Sequence, residues 1–163
     1  MRKSFILWVS ALLLFSGCAV KTYETSEPKL ITFKSQKLRF NDVGYIRISG
    51  SAVQAELFSA GQAVERFEID GKICVSEGCL SKSSFNRDYL SPAYPDTLLQ
   101  NVLRGRPIFG GRELQRSEEG FEQKFKAMAV FNITYRVTAE EIYFKDPING
   151  ILIKIREIPE VKK

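Results

Sequence analysis

Apolar and polar residues alternate through much of the chain between residues 45 and 158. A period of two is typical of β-strands that bury one face. The first such segments are YIRIS (45–49), VQAELF (53–58) and VERFEID (64–70). Short groups of Gly, Asn, Asp and Ser separate them and are typical of tight turns. The pattern therefore predicts successive antiparallel hairpins in this half of the chain.

The middle of the chain has a helical period instead. In YPDTLLQNVLRG (94–105), four apolar residues recur at helical spacing after Pro95, with Asp96 or Thr97 as the N-cap. Gly105 is a typical stop signal. The segment predicts one short amphipathic helix. The next residues, FGGRELQRSEEG (109–120), are rich in glycine and charge and predict an exposed loop.

The last third returns to alternation, in FKAMAVFNITYRVT (125–138), EEIYFKD (140–146) and ILIKIREI (151–158). We count about seven strands and one helix, a mainly β fold of the α+β class. A flat sheet with one helix would leave much of its apolar face in water. We therefore predict a curved antiparallel sheet or half-barrel over residues 36–158, covered by a short helical lid.

Apolar positions on the predicted inner face have two interpretations. Twelve Phe and six Tyr, with many Ile and Leu, are enough for an ordinary filled core. A curved sheet under a helix can instead enclose a cavity for acyl chains, because the space inside it can exceed the volume of the inward-facing side chains. The candidate cavity residues are Ile46, Ile48, Leu57, Phe67, Leu99, Val102, Phe131, Ile133, Tyr135 and Ile153.

The N-terminus carries a processing signal. Arg2 and Lys3 precede an apolar run from Ser4 to Phe15, which is too short to cross a bilayer, since a spanning helix needs about 20 residues. We predict a signal peptide at residues 1–17. The alternative is a buried N-terminal helix with an incidental cysteine, which leaves the cationic leader and the small residues unexplained.

Residues Ser16-Gly17-Cys18 resemble the lipobox of bacterial lipoproteins, apart from Phe15 where that family prefers Leu, Val or Ile. The resemblance implies cleavage before Cys18, a diacylglycerol on its thiol and an acyl chain, such as palmitate, on its new amino group. It implies no other cofactor. Ala19 and Val20, in place of Asp, imply an outer-membrane lipoprotein on the periplasmic face. We predict a lipidated tether over residues 18–35 and a tail over 159–163.

Charge and composition exclude several functions. The net charge is +5, and two of the cations lie in the predicted leader, so nucleic-acid binding is not expected. Histidine is absent, which removes the commonest general base and the commonest metal ligand. A Ser-His-Asp triad is therefore excluded, and no phosphate-binding loop is present. We predict no catalytic residues, no metal site and no enzymatic activity.

Two further cysteines, Cys74 and Cys79, are four residues apart in CVSEGC. In an exported protein such a pair most simply forms a local disulfide around the intervening turn. The alternatives are two free thiols, or a redox or metal site. A redox pair usually has C-x-x-C spacing, and zinc would need two more ligands.

Three segments are similar to the LolA/LolB-like lipoprotein carriers: VQAELFSAGQAVERFEIDGKICV (53–75), TLLQNVLRGRPIF (97–109) and EIYFKDPINGILIKIREI (141–158). The resemblance implies a half-barrel with a helical lid that accepts the acyl chains of incoming lipoproteins. With the anchor, it implies the outer-membrane receptor, whose partners are other lipoproteins or a periplasmic carrier. That receptor carries a protruding apolar side chain at a hairpin tip, whereas the tip here holds nothing larger than Ala60.

The alternative function is a scaffold or interaction lipoprotein of the cell envelope, or a surface antigen, built on a β-sandwich. The segment from Thr97 to Arg104 discriminates between the two, because a sandwich has little use for this helix. A lidded half-barrel requires it.

Overall fold

The computed structural model describes residues 25–159. This part of the chain forms one antiparallel sheet of eleven strands, two α-helices and one 3-10 turn, Phe109–Gly111. The strands are β1 (Thr25–Lys34), β2 (Arg39–Ser49), β3 (Ala52–Ser59), β4 (Gln62–Ile69), β5 (Ile73–Val75), β6 (Gly78–Leu80), β7 (Leu114–Ser117), β8 (Gly120–Ala127), β9 (Phe131–Thr138), β10 (Glu141–Asp146) and β11 (Ile151–Glu157). The helices are α1 (Lys82–Tyr89) and α2 (Leu98–Leu103). The mainly β, antiparallel prediction is confirmed.

The strands follow the order β6-β5-β4-β3-β2-β1-β11-β10-β9-β8-β7. Two meanders therefore meet at the pair of β1 and β11, and the helices lie in the connection between β6 and β7. All eleven strands belong to one sheet, so the two-sheet sandwich considered as an alternative is not the fold of these residues.

Residues 25–34 correct the predicted boundary of the tether. They form β1, which pairs with β2 from Thr25 to Lys34 and with β11 from Lys29 to Lys34. The prediction of a tether over residues 18–35 is wrong for this stretch. Pro28 and the charged residues concealed the strand, whose inward side chains are Ile31 and Phe33. Residues 1–24, with the predicted signal peptide and Cys18, lie outside the described residues, as do residues 160–163.

Contacts across the sheet show that it is strongly curved. Phe33 on β1 stacks on Phe67 of β4 with ring centroids 5.4 Å apart, although three strand spacings separate the two strands. Three spacings amount to about 14 Å on a flat sheet. Helix α2 likewise packs against both β3 and β10, four positions apart in the sheet. The sheet therefore wraps around the helices with a concave apolar face.

Helix α1 was not predicted. It carries only two large apolar side chains, Phe85 and Tyr89, one turn apart, and the rest of its sequence is polar. A serine, Ser81, occupies its N-cap position, a sequence signal for a helix start that the prediction did not use. The Ser81 side chain accepts a hydrogen bond from the backbone N–H of Ser84. Such a serine cap satisfies an otherwise unpaired donor of the first turn.

Helix α2 is present where the helical period predicts it. Leu98, Leu99, Val102 and Leu103 are all buried, and the chain leaves the helix through Gly105 with a positive φ of 61°. Thr97 occupies the N-cap position, although its side chain makes no capping hydrogen bond.

The predicted loop at residues 109–120 is instead the 3-10 turn and the edge strand β7. The sequence therefore accounts for fewer strands than the eleven observed, because β1, β5, β6 and β7 are short or lack clear alternation.

Strand β3 is buried on both faces, which alternation alone does not predict. On its convex side, Glu56 pairs with Arg47, Nη1 to Oε2 at 2.6 Å, and also with Arg66. The hydrogen bond from Arg47 is the main cause that lowers the pKa of Glu56, and that from Arg66 adds to it. The two long arginine side chains thus cover the carboxylate and its strand.

Gly44 gives a first test of the sheet. A Cβ atom at this position in β2 would lie 2.6 Å from Cδ1 of Ile31 and 2.8 Å from the backbone oxygen of Glu56. Since the backbone cannot move aside cheaply, we expect Gly44→Ala to lower the free energy of unfolding by about 1–3 kcal/mol. Urea unfolding measures it. Gly71→Ala is the control, because nothing lies within 4 Å of its Cβ, and a change of equal size there would contradict the explanation.

Candidate functional site

The ten candidate cavity residues lie on the concave face and on α2, around one interior. Eight of them are buried: Ile46, Leu57, Phe67, Leu99, Val102, Ile133, Tyr135 and Ile153. Ile48 and Phe131 are partly buried and pack at the margin of the same cluster. The structure therefore brings together residues from β2, β3, β4, α2, β9 and β11.

Side chains from the helices fill this interior. Phe85 of α1 meets Phe67 edge to face with centroids 5.9 Å apart, and it stacks on Tyr89 at 4.5 Å. Four surface pockets on the described part of the chain are lined by other residues, none of them among the ten. In this conformation the candidate residues contact one another and the helices, and their role as an acyl-chain lining stays a prediction.

A buried carboxylate fastens the connection between the helices to the sheet. Asp146, at the end of β10, is fully buried. It accepts hydrogen bonds from the hydroxyl of Tyr94 at 2.6 Å and from the backbone N–H of Asn132 at 3.0 Å. The backbone N–H of Ile148 and the side-chain amide of Asn149 donate to it as well. One carboxylate thus joins β9, the turn after β10 and the helical connection.

The ionisation of this pair follows from its contacts. Burial alone would raise the pKa of Asp146, but the hydrogen bonds from Tyr94, Asn132, Asn149 and Ile148 outweigh it and the net shift is downward. The pKa of Tyr94 is raised, first by burial and then by its bond to the carboxylate. The pair is therefore a charged acceptor and a neutral donor, which form a strong hydrogen bond.

Asn86 extends this connection to α1. Its side-chain amide donates to the carbonyl oxygens of Tyr94 and Pro95, both at 3.1 Å. At the other end of the sheet, the side chains of Gln100 and Arg104 donate to the carbonyl oxygen of Ser51. The helical segment, which we define as residues 81–105, is therefore attached to the sheet by polar contacts in its middle, at Tyr94, and near its C-terminal end, at Gln100 and Arg104.

Two further polar residues hold the chain that follows α2. The hydroxyl of Tyr135 donates to the carbonyl of Arg106 at 2.9 Å, and burial raises the pKa of this tyrosine. Gln123 pairs with both backbone groups of Ile108 and also donates to the carbonyl of Arg112. The sequence carried a signal for Gln123, because this polar residue interrupts the inward positions Phe121 and Phe125 of β8.

Cys74 and Cys79 form a disulfide, as predicted. They face each other across the β5–β6 hairpin in register, with the Ser76-Glu77 turn beyond them. The pair closes a hairpin at the edge of the sheet, where β6 is the outermost strand. Its role in this structure is to hold that short edge strand beside β5.

Removing the disulfide gives a second test. Because the cross-link closes only a short loop, we expect the double variant Cys74→Ser/Cys79→Ser to lose about 2 kcal/mol of unfolding free energy. Thermal unfolding with and without a thiol reductant measures this loss. The unchanged protein should become less stable in reductant, whereas the double variant should not respond. A protein equally stable in both conditions would contradict the stabilising role.

The chain matches no family model, no curated protein and no solved structure. Within residues 25–159, no helix is long and apolar enough to cross a bilayer. In the same residues, no group of three or more Cys, Asp or Glu side chains is arranged to ligate a metal.

Proposed function

We propose that this chain is a lipid-anchored outer-membrane lipoprotein on the periplasmic face, which binds acyl chains during lipoprotein delivery in the manner of a LolB-like receptor. Cys18 carries the anchor, and the domain performs no catalysis. Other lipoproteins or a periplasmic carrier are the partners. The observation that carries the proposal is the concave apolar face of a single curved sheet, covered by a helical segment inserted between its two meanders.

Binding requires the helical segment to move. Phe85, Leu98 and Leu99 occupy the interior, so an acyl chain enters only where these side chains give way. The polar attachments of the segment at Tyr94 and near its C-terminal end resist this movement, above all the bond from Tyr94 to Asp146. An entering chain gains about 0.8 kcal/mol for each buried methylene, which offsets the loss of these contacts.

A fluorescent fatty-acyl probe tests the proposal. The chain from residue 19 onward is titrated with the probe and then challenged with a lipopeptide. We expect saturable binding that the lipopeptide displaces. Tyr94→Phe removes only the hydroxyl that donates to Asp146, so we expect this variant to bind the probe several-fold more tightly because the segment opens more easily.

Tyr143→Phe is the matched control. This tyrosine lies on β10 beside Arg136 and Lys154. We expect its affinity for the probe to equal that of the unchanged chain. A folded protein that binds no probe, in the Tyr94→Phe variant as well, would refute acyl-chain binding.

The filled interior favours a second candidate function, the scaffold or interaction lipoprotein. A solid core needs no opening, and such a protein would bind partners with its outer surface. Absence of probe binding, together with hydrogen exchange that is uniformly slow in α1 and α2, would support this candidate. Fast exchange confined to the helical segment would support the acyl-chain receptor instead.

A further inference from the structure

Exposed apolar side chains gather at one end of the sheet. Met128 and Val130, in the turn between β8 and β9, are 92% and 44% exposed, and Ile148, in the turn between β10 and β11, is 48% exposed. We call these three residues the apolar tip. In the described chain only Val64 and Ile158 are other large apolar residues with comparable exposure.

The two turns of the apolar tip are held together. The side-chain amide of Asn149 donates to the carbonyl oxygen of Val130 at 2.9 Å, which links one turn to the other. Asp146 joins both turns, since it accepts from the backbone of Asn132 and of Ile148. Within the first turn, the N–H of Val130 donates to the carbonyl oxygen of Ala127. The exposed side chains are therefore presented by an ordered frame.

Cations flank the apolar tip on the convex side. Lys124 and Lys145 are both in register with Thr134 of β9, and Lys126 is in register with Asn132, two residues closer to the turn. All three lysines are exposed. The acid in this region, residues 124–131 and 145–150, is Asp146, whose buried carboxylate is enclosed by the frame. Lys124 pairs with Glu122, Nζ to Oε2 at 2.7 Å, so the positive charge beside the tip comes from Lys126 and Lys145.

We propose that the apolar tip inserts into the interface of a lipid bilayer that contains anionic headgroups. Three exposed apolar side chains with lysines set back from them fit the boundary between acyl chains and phosphates. The patch is too small for a stable protein interface, which buries about 800 Å² on each partner. This inference does not depend on acyl-chain binding by the interior.

Tip contact also sets the orientation of the domain. Thr25, where β1 begins, pairs with Ile48 at the opposite end of the sheet from the apolar tip. An anchor on Cys18 would therefore hold the far end, and β1 extends about 33 Å from there. Both contacts on one bilayer would tilt the strands away from the membrane normal.

Tryptophan fluorescence with depth-sensitive quenching tests the proposal. The lipidated chain from Cys18 onward, which contains no natural tryptophan, is reconstituted in phosphatidylcholine vesicles with phosphatidylglycerol. Met128→Trp should show a blue-shifted emission that brominated lipids quench. Gln36→Trp, an exposed turn position at the same end between Ser35 and Lys37, should emit as in water.

Substitutions in the apolar tip and its flanking lysines provide a second test of insertion. In the Met128→Trp chain, Val130→Ser with Ile148→Ser should reduce the quenched fraction by about twofold or more, because half of the insertion surface is lost. Lys126→Glu with Lys145→Glu should reduce it in phosphatidylglycerol vesicles and remove its dependence on salt. All these side chains are exposed, so thermal unfolding should stay unchanged.

Two outcomes would overturn the proposal. The first is equal quenching of Met128→Trp and Gln36→Trp, or none in either. The second is a blue shift that appears without lipid and grows with protein concentration, which would assign the tip to contact with a second copy of the chain. Neither outcome bears on acyl-chain binding, which the probe titration tests separately.

Discussion

Replacing Asp146 by alanine is expected to lower the free energy of unfolding by about 3–5 kcal/mol, because several hydrogen-bond donors lose their acceptor together. The carboxylate is fully buried and accepts four hydrogen bonds, two of them from backbone N–H groups. Alanine would leave the hydroxyl of Tyr94 and these N–H groups without acceptors inside the protein. Each buried donor left unpaired costs about 1–3 kcal/mol. Chemical denaturation of the two proteins measures the difference.

Milder substitutions show how much the individual hydrogen bonds contribute to this loss of stability. Asp146→Asn keeps one oxygen acceptor and should cost less than the alanine variant, while Tyr94→Phe should cost about 1–2 kcal/mol because it removes one charge-assisted bond. Asp42→Ala is the matched control. Asp42 is an exposed carboxylate on β2 that accepts from its neighbour Val43. If Asp146→Ala cost no more than Asp42→Ala, the carboxylate would not fasten the helical segment.

The same carboxylate predicts a pH dependence. Its native pKa lies below the ordinary value, so protonation favours the unfolded chain, in which an aspartate has a pKa of about 3.9. The stabilisation is fully present above that value and is lost as the pH falls through the lower native pKa. As the pH falls below about 4, Asp146→Asn should therefore lose less stability than the unchanged protein.

Alternation predicted the strands that have one buried face and one solvent-exposed face. Strands β9 and β11 follow that rule, with Ile133 and Ile153 inward and Arg136 and Lys154 outward. Strand β1 does not, because Pro28 and several charges interrupt the pattern, and pairing with β2 and β11 decides its structure instead. Short edge strands carry too few residues for a period of two to be visible.

The candidate site was predictable only in part. The alternation identified which apolar side chains face the interior. It is the same whether these side chains form a filled core or line a cavity. Alternation cannot distinguish a filled core from a cavity, because the filling depends on helix α1, which was not predicted. Asp146 and Tyr94 were also missed, since their contact joins residues 52 positions apart and each occurs in a turn-like stretch.

Phe67→Ala is expected to lower the free energy of unfolding by about 3–5 kcal/mol, the range for removing a large buried aromatic side chain. Phe67 links the sheet to the helical segment, because its ring stacks on Phe33 of β1 and meets the edge of Phe85 in α1. The change removes both ring contacts and leaves a cavity that these neighbours cannot fill. Equilibrium unfolding in urea measures the loss.

The second effect of this variant concerns the ligand. A cavity between β4 and α1 lies where an acyl chain would enter, so Phe67→Ala should bind the fluorescent probe more tightly although it is less stable. Phe67→Leu should show a smaller form of both effects, because it removes less volume. Val64→Ala, at a half-exposed site on the same strand, should change stability by less than about 0.5 kcal/mol and binding not at all. A destabilised Phe67→Ala protein that still takes up no probe would count against an acyl-chain site in this interior, since the cavity would then be open and unused.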